Sequence, residues 1–320
     1  TAPLSSTEQS EYLNAAAEIN TTLSARQLHK KLSNIEKELG RTRRGRWWPR
    51  TIDLDLLLFG NEILHSRRLT VPHAQMHLRS FVLSGLCQLN GEMLHPVMKV
   101  SLNELKARLN GCDFALEPDK PQLVSVAGNI GVGKTTLAKK LAGRFGCKLL
   151  LEPYDENPFM PEVYAGRKEL ALDSQLFFLT NRAEQLEASK FQDGEICISD
   201  YVFDKELIYA KRLLNGKQFD LYQEIYPPFV EQVTAPSLVI YIRDTPQNCL
   251  ERIHRRNRPY EQQIKLQFLR ALDTGYEQLF SDWKLSPVIR VQTSKLDYTN
   301  EDCIEHLAHQ VKFYTASAPA

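Results

Sequence analysis

The residues with the clearest chemistry are Gly128, Asn129, Ile130, Gly131, Val132, Gly133, Lys134 and Thr135, followed by Thr136. They fit G-x-x-x-x-G-K-[ST] at every fixed position, and such glycines let successive backbone N–H groups turn inward onto phosphate oxygens. Lys134 is spaced to reach β- and γ-phosphates, and the Thr135 hydroxyl to hold Mg²⁺. Val124 and Val126 ahead of the glycines predict a buried strand. Leu137 and Leu141 behind them predict a helix whose positive end faces the same phosphates. The pattern is that of a nucleotide phosphate site.

Other candidates in the second half gain meaning from this one. Residues 147–152 predict a buried strand ending in Glu152, and strand ends in a parallel sheet point into the ligand crevice. A carboxylate there can take a proton from an attacking hydroxyl, although a solvated strand-end acid reads the same way. A helix over residues 172–188 would place Gln175 and Arg182 on one face. Strands are predicted at 196–200, ending in Asp200, and at 237–243. Arg252, Arg256 and Arg258 precede Glu261 in a stretch with four arginines in ten residues. Such a segment can close over a transferring phosphoryl group, or it can be a solvated helix face. His306 and His309 lack a third ligand nearby and read as structural.

The first half has its own dense stretch. Five arginines, including Arg41 and Arg50, lie between positions 41 and 50 with Trp47 and Trp48 among them. Guanidinium forks match phosphate oxygens. Asp53 and Asp55 alternate with Ile52, Leu54 and Leu56, so a strand would put both carboxylates on one face, where two hard oxygens suit Mg²⁺. Taken alone, the same stretch could bind nucleic acid, and the two acids could be solvated. The elements expected to position these groups are a strand beginning at Tyr12 and a helix over 24–39. That helix has Leu28, Leu32, Ile35 and Leu39 at helical spacing, Ser24 as N-cap and Gly40 as its stop.

At 320 residues the chain can hold two domains with separate cores, and its formal charge of +1 gives no pull toward nucleic acid or membrane. Six scattered cysteines without a C-x-x-C pair suggest buried free thiols in a reducing cytoplasm. No apolar run reaches the ~20 residues of a membrane span. Prolines at 118 and 121 punctuate a linker over 113–121, between domains at 1–112 and 122–316.

Over residues 1–109 the chain resembles the hydroxymethyldihydropterin pyrophosphokinase family, most specifically in Arg46-Trp-Trp-Pro-Arg-Thr-Ile-Asp-Leu-Asp-Leu-Leu-Leu. The resemblance implies a ferredoxin-like α+β domain that transfers a pyrophosphoryl group from ATP to a pterin hydroxymethyl group. It implies Asp53 and Asp55 as Mg²⁺ ligands, Arg41, Arg50, His73 and Arg79 at the polyphosphate, and Arg43 and Trp47 in a catalytic loop. Asn14 would bond the pterin between the rings of Tyr12 and Phe81. The family's leading strand and helix do not occur ahead of Thr1, which predicts a sheet without its first strand and little activity from these 320 residues. Trp48 also stands where the family usually has glycine.

Over residues 123–313 the chain resembles the deoxynucleoside kinase family, in G-N-I-G-V-G-K-T-T, Leu151-Glu152-Pro153, Gln175 and the Arg252–Glu261 pattern. That implies a parallel sheet flanked by helices and transfer of the ATP γ-phosphoryl group to a deoxynucleoside 5′-hydroxyl. Glu152 would be the general base, and Gln175 and Arg182 would meet the nucleobase, with Glu206 pairing Arg182. Tyr164 and Glu261 would hold the sugar 3′-hydroxyl, and Arg252, Arg256 and Arg258 would form a lid. The family's E/D-R-S motif reads Asp200-Tyr201-Val202 here, which leaves two expectations: a lid arginine replaces the missing phosphate-contacting cation, or activity is low. Small-molecule substrates are the partners implied, and nothing opposes a homodimer. A kinase with an interaction module in front of it, or another P-loop nucleotide kinase, are the alternatives. A nucleotide-gated switch is disfavoured because no N-K-x-D base-reading motif occurs.

Overall fold

A computed structural model of the protein describes residues 13–41, 52–297 and 300–315. The chain divides into two compact units, Thr1–Ala115 and Leu116–Ala320.

In the first unit, Ser24 and Gln27 close a capping box on helix α1 (Ala25–Glu38), each side chain accepting from the other's backbone N–H. Gly40, at φ +85°, turns the chain away after it. Strands β1 (Leu64–His65) and β2 (Thr70–Val71) pair antiparallel, and helices α2 (Ser80–Asn90) and α3 (Leu102–Arg108) pack together. Ala25, Leu69 and Val71 form a small core against Leu56, Phe59 and Leu64.

The strands expected at the start of the chain and at Asp53 are not formed. Residues 13–20 and 52–59 have no regular secondary structure, and Tyr12 lies outside the described residues. A strand exists only through its ladder, and the described residues of this unit supply one two-stranded sheet, so the ferredoxin-like sheet is not assembled among them. The backbone finds other partners: Leu54 N–H donates to the Glu36 carboxylate at 2.8 Å, and Leu57 C=O accepts from His73 N–H at 2.8 Å. The alternation nevertheless survives as a burial pattern, with Asp53 and Asp55 exposed and Ile52, Leu54 and Leu56 half-buried. Leu13 and Ile19 are exposed as well.

The second unit is built on a five-stranded parallel sheet in the order β4-β5-β3-β6-β7. Its strands are β3 (Gln122–Gly128), β4 (Lys148–Leu150), β5 (Ile196–Ser199), β6 (Leu238–Arg243) and β7 (Val288–Gln292). All seven residues of β3 are buried, as a central parallel strand requires. Helices fill the crossovers, α4 (Lys134–Phe145), α5 (Met160–Tyr164), α6 (Ala171–Leu186), α7 (Glu206–Leu213), α8 (Gly216–Gln232), α9 (Pro246–Arg256) and α10 (Leu266–Ser281), and α11 (Glu301–Tyr314) follows β7. Helix α4 packs on β3, β4 and β5, with α11 against it. Leu123, Leu150 and Cys197 meet α6, α7 and α8 through Leu179, Ala210, Tyr222 and their neighbours. Ala127, Val239, Tyr241 and Val288 meet α10 through Tyr276 and Phe280.

Strand order reverses direction on either side of β3, so a crevice opens at the carboxyl end of that strand. Two glycines there are sterically required. At Gly128 (φ +142°) a Cβ would collide with the Ile242 carbonyl of β6, and at Gly131 (φ +77°) it would come within 2.5 Å of the Cys249 carbonyl of α9. Asn129 moors the loop further, its amide donating to Leu269 C=O of α10 at 2.8 Å. All six cysteines are free, but only Cys197 and Cys249 are buried; the other four are half-buried, against the expectation from their apolar surroundings. Among the described residues no helix is long and apolar enough to cross a membrane.

Candidate active site

The groups at the crevice come from strand ends, from the first turn of α4, from α6 and from the short turn ahead of α7. Lys134 opens α4 directly after Gly133, and its buried ammonium donates to Asn129 C=O at 3.0 Å. Burial lowers the Lys134 pKa, an effect opposed by Glu152 and Asp200. Thr135 Oγ1 donates to Asp200 Oδ2 at 2.5 Å, while Asp200 Oδ1 accepts from Glu152 N–H at 2.9 Å. Asp200, one residue beyond β5, therefore ties the first turn of α4 to Glu152, two residues beyond β4.

Glu152 is 6 % exposed and meets two cations: Arg182 of α6 and Lys205, from the short turn Phe203–Lys205 ahead of α7, both bond its Oε1. Its Oε2 has no hydrogen-bond partner; Tyr154 stands beside the carboxylate without reaching hydrogen-bond geometry to that oxygen. Burial alone would raise the Glu152 pKa, but Arg182 and then Lys205 pull it down to about 2. Arg182 also pairs with Glu206, which accepts a further hydrogen bond from Tyr222 at 2.7 Å. The Phe178 ring lies 4.4 Å from the Arg182 guanidinium carbon. Gln175, two turns earlier on α6, is buried and its carboxamide oxygen has no partner. The arrangement thus offers an acceptor on Gln175, an acceptor on Glu152 and a fixed guanidinium between them.

The expected lid arginines are held by acids. Arg252 reaches Asp244 at 2.5 Å, Arg256 reaches Glu261 at 2.5 Å, and Arg258 lies 3.6 Å from Glu261. Burial raises the pKa of Tyr164 of α5, and the fields of Glu261 and Glu152 add to the rise. None of these arginines bonds Glu152. Glu152 is bonded instead by Lys205, a residue the sequence patterns do not single out because Asp-Lys-Glu reads as an ordinary charged turn. The missing arginine at Tyr201 was the available signal.

In the first unit, Arg41 pairs with Asp53 at 2.7 Å and with Glu36. His73 feels Asp55, Arg79 and Asp53, although burial is the largest effect and lowers its pKa. These five expected residues therefore share one neighbourhood. Phe81 is half-buried in the first turn of α2 and Asn14 is exposed. Arg50, Trp47 and Arg43 lie outside the described residues, like Tyr12. Among the described residues no group of three or more His, Cys, Asp or Glu side chains could hold a metal ion.

Comparison with known proteins places both units. The model of the family described as deoxynucleoside kinase matches residues 124–314. The chain belongs to that family. A deoxyguanosine kinase of Bacillus subtilis (strain 168) is 32% identical over 197 residues, 59% of this chain and 95% of that protein. The solved structure of deoxyadenosine kinase from M. mycoides with bound dATP superposes with a TM-score of 0.52 at 24% identity, over 59% of this chain and 98% of that one, which concerns the fold. This deoxynucleoside kinase carries a second likeness. The 7,8-dihydro-6-hydroxymethylpterin-pyrophosphokinase model matches residues 1–91. The 2-amino-4-hydroxy-6-hydroxymethyldihydropteridine pyrophosphokinase of Haemophilus influenzae (strain ATCC 51907 / DSM 11121 / KW20 / Rd) is 47% identical over 94 residues, and the chain spans 59% of its length. Both families are transferases, so the chain joins a transferase-like region to a kinase domain.

The pairing of Arg182 with two buried carboxylates has an energetic consequence. Arg182→Met leaves Glu152 and Glu206 with Lys205 as the one cation bonded to either, and is expected to cost about 3–5 kcal/mol, read as a fall in the urea midpoint. Adding Glu206→Leu is expected to recover part of that loss, because a buried charge without its partner is then removed.

Proposed function

We propose that the second unit phosphorylates the 5′-hydroxyl of a deoxynucleoside with ATP, in the cytoplasm, a setting supported by six unpaired cysteines. The observation that carries this reading is the Glu152 carboxylate: one oxygen is fixed by two cations and the other is buried without a partner beside the phosphate loop. A neutral hydroxyl is the acceptor such an oxygen suits. The 5′-oxygen attacks the γ-phosphorus, the bond to the β-phosphate oxygen breaks, and the hydroxyl proton passes to Glu152 and on to solvent as ADP leaves. Glu152 stays ionised throughout the neutral range. Gly128 to Gly133 and Lys134 hold the phosphates, with Thr136 in the first turn behind them. The oxygen chemistry of Thr135, hydrogen-bonded to Asp200, fits Mg²⁺, which when bound neutralises charge on the β- and γ-phosphates. Arg252, Arg256 and Arg258 exchange their acids for phosphate oxygens on closure, and Tyr164 and Glu261 take the sugar 3′-hydroxyl.

Gln175 and Arg182 set the base. The carboxamide oxygen accepts from an exocyclic amine or ring N–H, while the guanidinium, with no acceptor of its own, needs a base acceptor such as guanine O6 or N7. The buried Glu206 and Tyr222 keep that guanidinium in place. Kinship with a deoxyguanosine kinase points the same way.

For the first unit we propose pyrophosphoryl transfer from ATP to hydroxymethyldihydropterin, with Asp53 and Asp55 as Mg²⁺ ligands, Arg41, Arg50, His73 and Arg79 at the phosphates, and Tyr12, Asn14, Trp47 and Phe81 about the pterin. The shared neighbourhood of Arg41, Asp53, Asp55, His73 and Arg79 supports it.

Glu152→Gln is expected to leave ATP binding intact and lower turnover about 10²-fold or more, whereas Lys134→Ala abolishes transfer. Near-normal turnover in Glu152→Gln removes Glu152 from the mechanism. Given the four deoxynucleosides at equal concentration, the enzyme is expected to phosphorylate deoxyguanosine or deoxyadenosine first, deoxycytidine next and thymidine least, as read by mass analysis of the monophosphates. Thymidine monophosphate as main product sinks the role given to Arg182. Asp53→Ala and Asp55→Ala are each expected to abolish Mg²⁺-dependent AMP formation with hydroxymethyldihydropterin in a chain extended by the family's leading strand and helix. An extended chain that makes no AMP and binds no pterin leaves the region an interaction module.

A further inference from the structure

Lys205 is the most deeply buried lysine described, at 1 % exposure, and is a second cation on a carboxylate that Arg182 already pairs. Its ammonium bonds Glu152 Oε1, the same oxygen that Arg182 bonds, so both cations crowd one oxygen of the carboxylate and leave Oε2 buried without a hydrogen-bond partner. Three tyrosine rings surround it: Tyr154 and Tyr201 at 5.8 Å and Tyr209 at 5.4 Å from the ammonium nitrogen. Tyr201 is locked in that wall by its hydroxyl, which donates to Gln185 at 2.8 Å, and by its carbonyl, which accepts from Ser199 at 2.7 Å. An apolar residue would fill this space without the cost of desolvating an amine.

We propose that Lys205 is a positioning residue for phosphoryl transfer: it aims Glu152 at the acceptor hydroxyl and supplies beside it the positive charge that the chain lacks at Tyr201. The inference rests on the kinase reading of the second unit. Arg182 alone could not do both tasks, since it is also committed to Glu206 and to the base end of the crevice. With Lys205 present, the six buried charges near the phosphate loop cancel: Lys134, Arg182 and Lys205 against Glu152, Asp200 and Glu206. The groups that act on Lys205 are Glu152 after β4, Arg182 on α6 and Lys134 on α4. Burial, then Arg182, lowers its pKa to about 7, with Glu152 opposing and Lys134 adding to the fall. An ammonium so poised is charged below that pH and discharged above it, so the aim it gives Glu152 is lost as pH rises.

The test compares wild type, Lys205→Met and Lys205→Arg with ATP, Mg²⁺ and deoxyguanosine or deoxyadenosine. Lys205→Met is expected to cut kcat about 10²-fold while the nucleoside KM moves less than about threefold, the signature of an interaction used in the transition state. Lys205→Arg, which keeps a charge, is expected to restore at least a tenth of kcat. It should also displace the basic limb of kcat/KM against pH to higher pH, because guanidinium does not titrate there. A merely structural lysine would lower the melting temperature without splitting kcat from KM or moving that limb. Lys205→Met with kcat within twofold of wild type, or identical pH profiles for wild type and Lys205→Arg, overturns the proposal. If Lys205→Met does not fold, the Lys205→Arg profile decides. Wild-type protein inactive on all four deoxynucleosides instead refutes the kinase reading on which it rests.

Discussion

A carboxylate removed from water is tolerable only when its charge is answered at close range, and in the kinase unit Glu152 is answered twice. The partners come from different elements: Arg182 from the middle of α6, and Lys205 from the turn between β5 and α7. Asp200 joins the same group by gripping the backbone of Glu152 and the hydroxyl of Thr135. None of these side chains can be placed without the others, so the strand ends and the first turn of α4 are fixed relative to one another by electrostatics as well as by the hydrogen-bonded sheet. Apolar packing forms the sheet and its helices; the buried charges set the geometry at its carboxyl edge.

The sheet makes that edge possible. A parallel order with β3 in the middle brings the phosphate loop, Glu152 and Asp200 to one end, and the glycines allow the loop to lie against β6 and α9 at distances no side chain permits. Helix α6 then carries Gln175 and Arg182 from above the crevice into it. The proposed order of recognition uses these positions: phosphates at the loop, the acceptor hydroxyl at Glu152, the base at Gln175 and Arg182. The unpartnered oxygens of Glu152 and Gln175 are the groups that a bound nucleoside would complete.

Much of this was legible before the fold was known. The phosphate loop declares itself by spacing, β3, β5 and β6 by continuous apolar runs, and α1 by its period. What the sequence could not convey was tertiary. Lys205 is an unremarked lysine in a charged turn, and only the fold sets it beneath three tyrosines. The lid arginines look free in sequence but rest on Asp244 and Glu261. In the first unit, the alternation around Asp53 predicts the right exposed face and the wrong element, because side-chain period is local whereas a ladder needs a neighbouring strand. Leu54 shows the outcome, its amide taken by the Glu36 carboxylate instead of a strand partner.

Gly131 lies too close to the Cys249 carbonyl for a Cβ, and Asn129 donates to Leu269 C=O, so the phosphate loop is packed against the backbone of α9 and hydrogen-bonded to that of α10. Helix α9 is the one that carries Arg252 and Arg256. Loop and arginine helix are therefore set at a spacing that leaves no room for a further side chain at Gly131. Exchange of this loop between related enzymes would have to carry the facing turn of α9 with it, or the transplanted glycines would meet a carbonyl set at the wrong height.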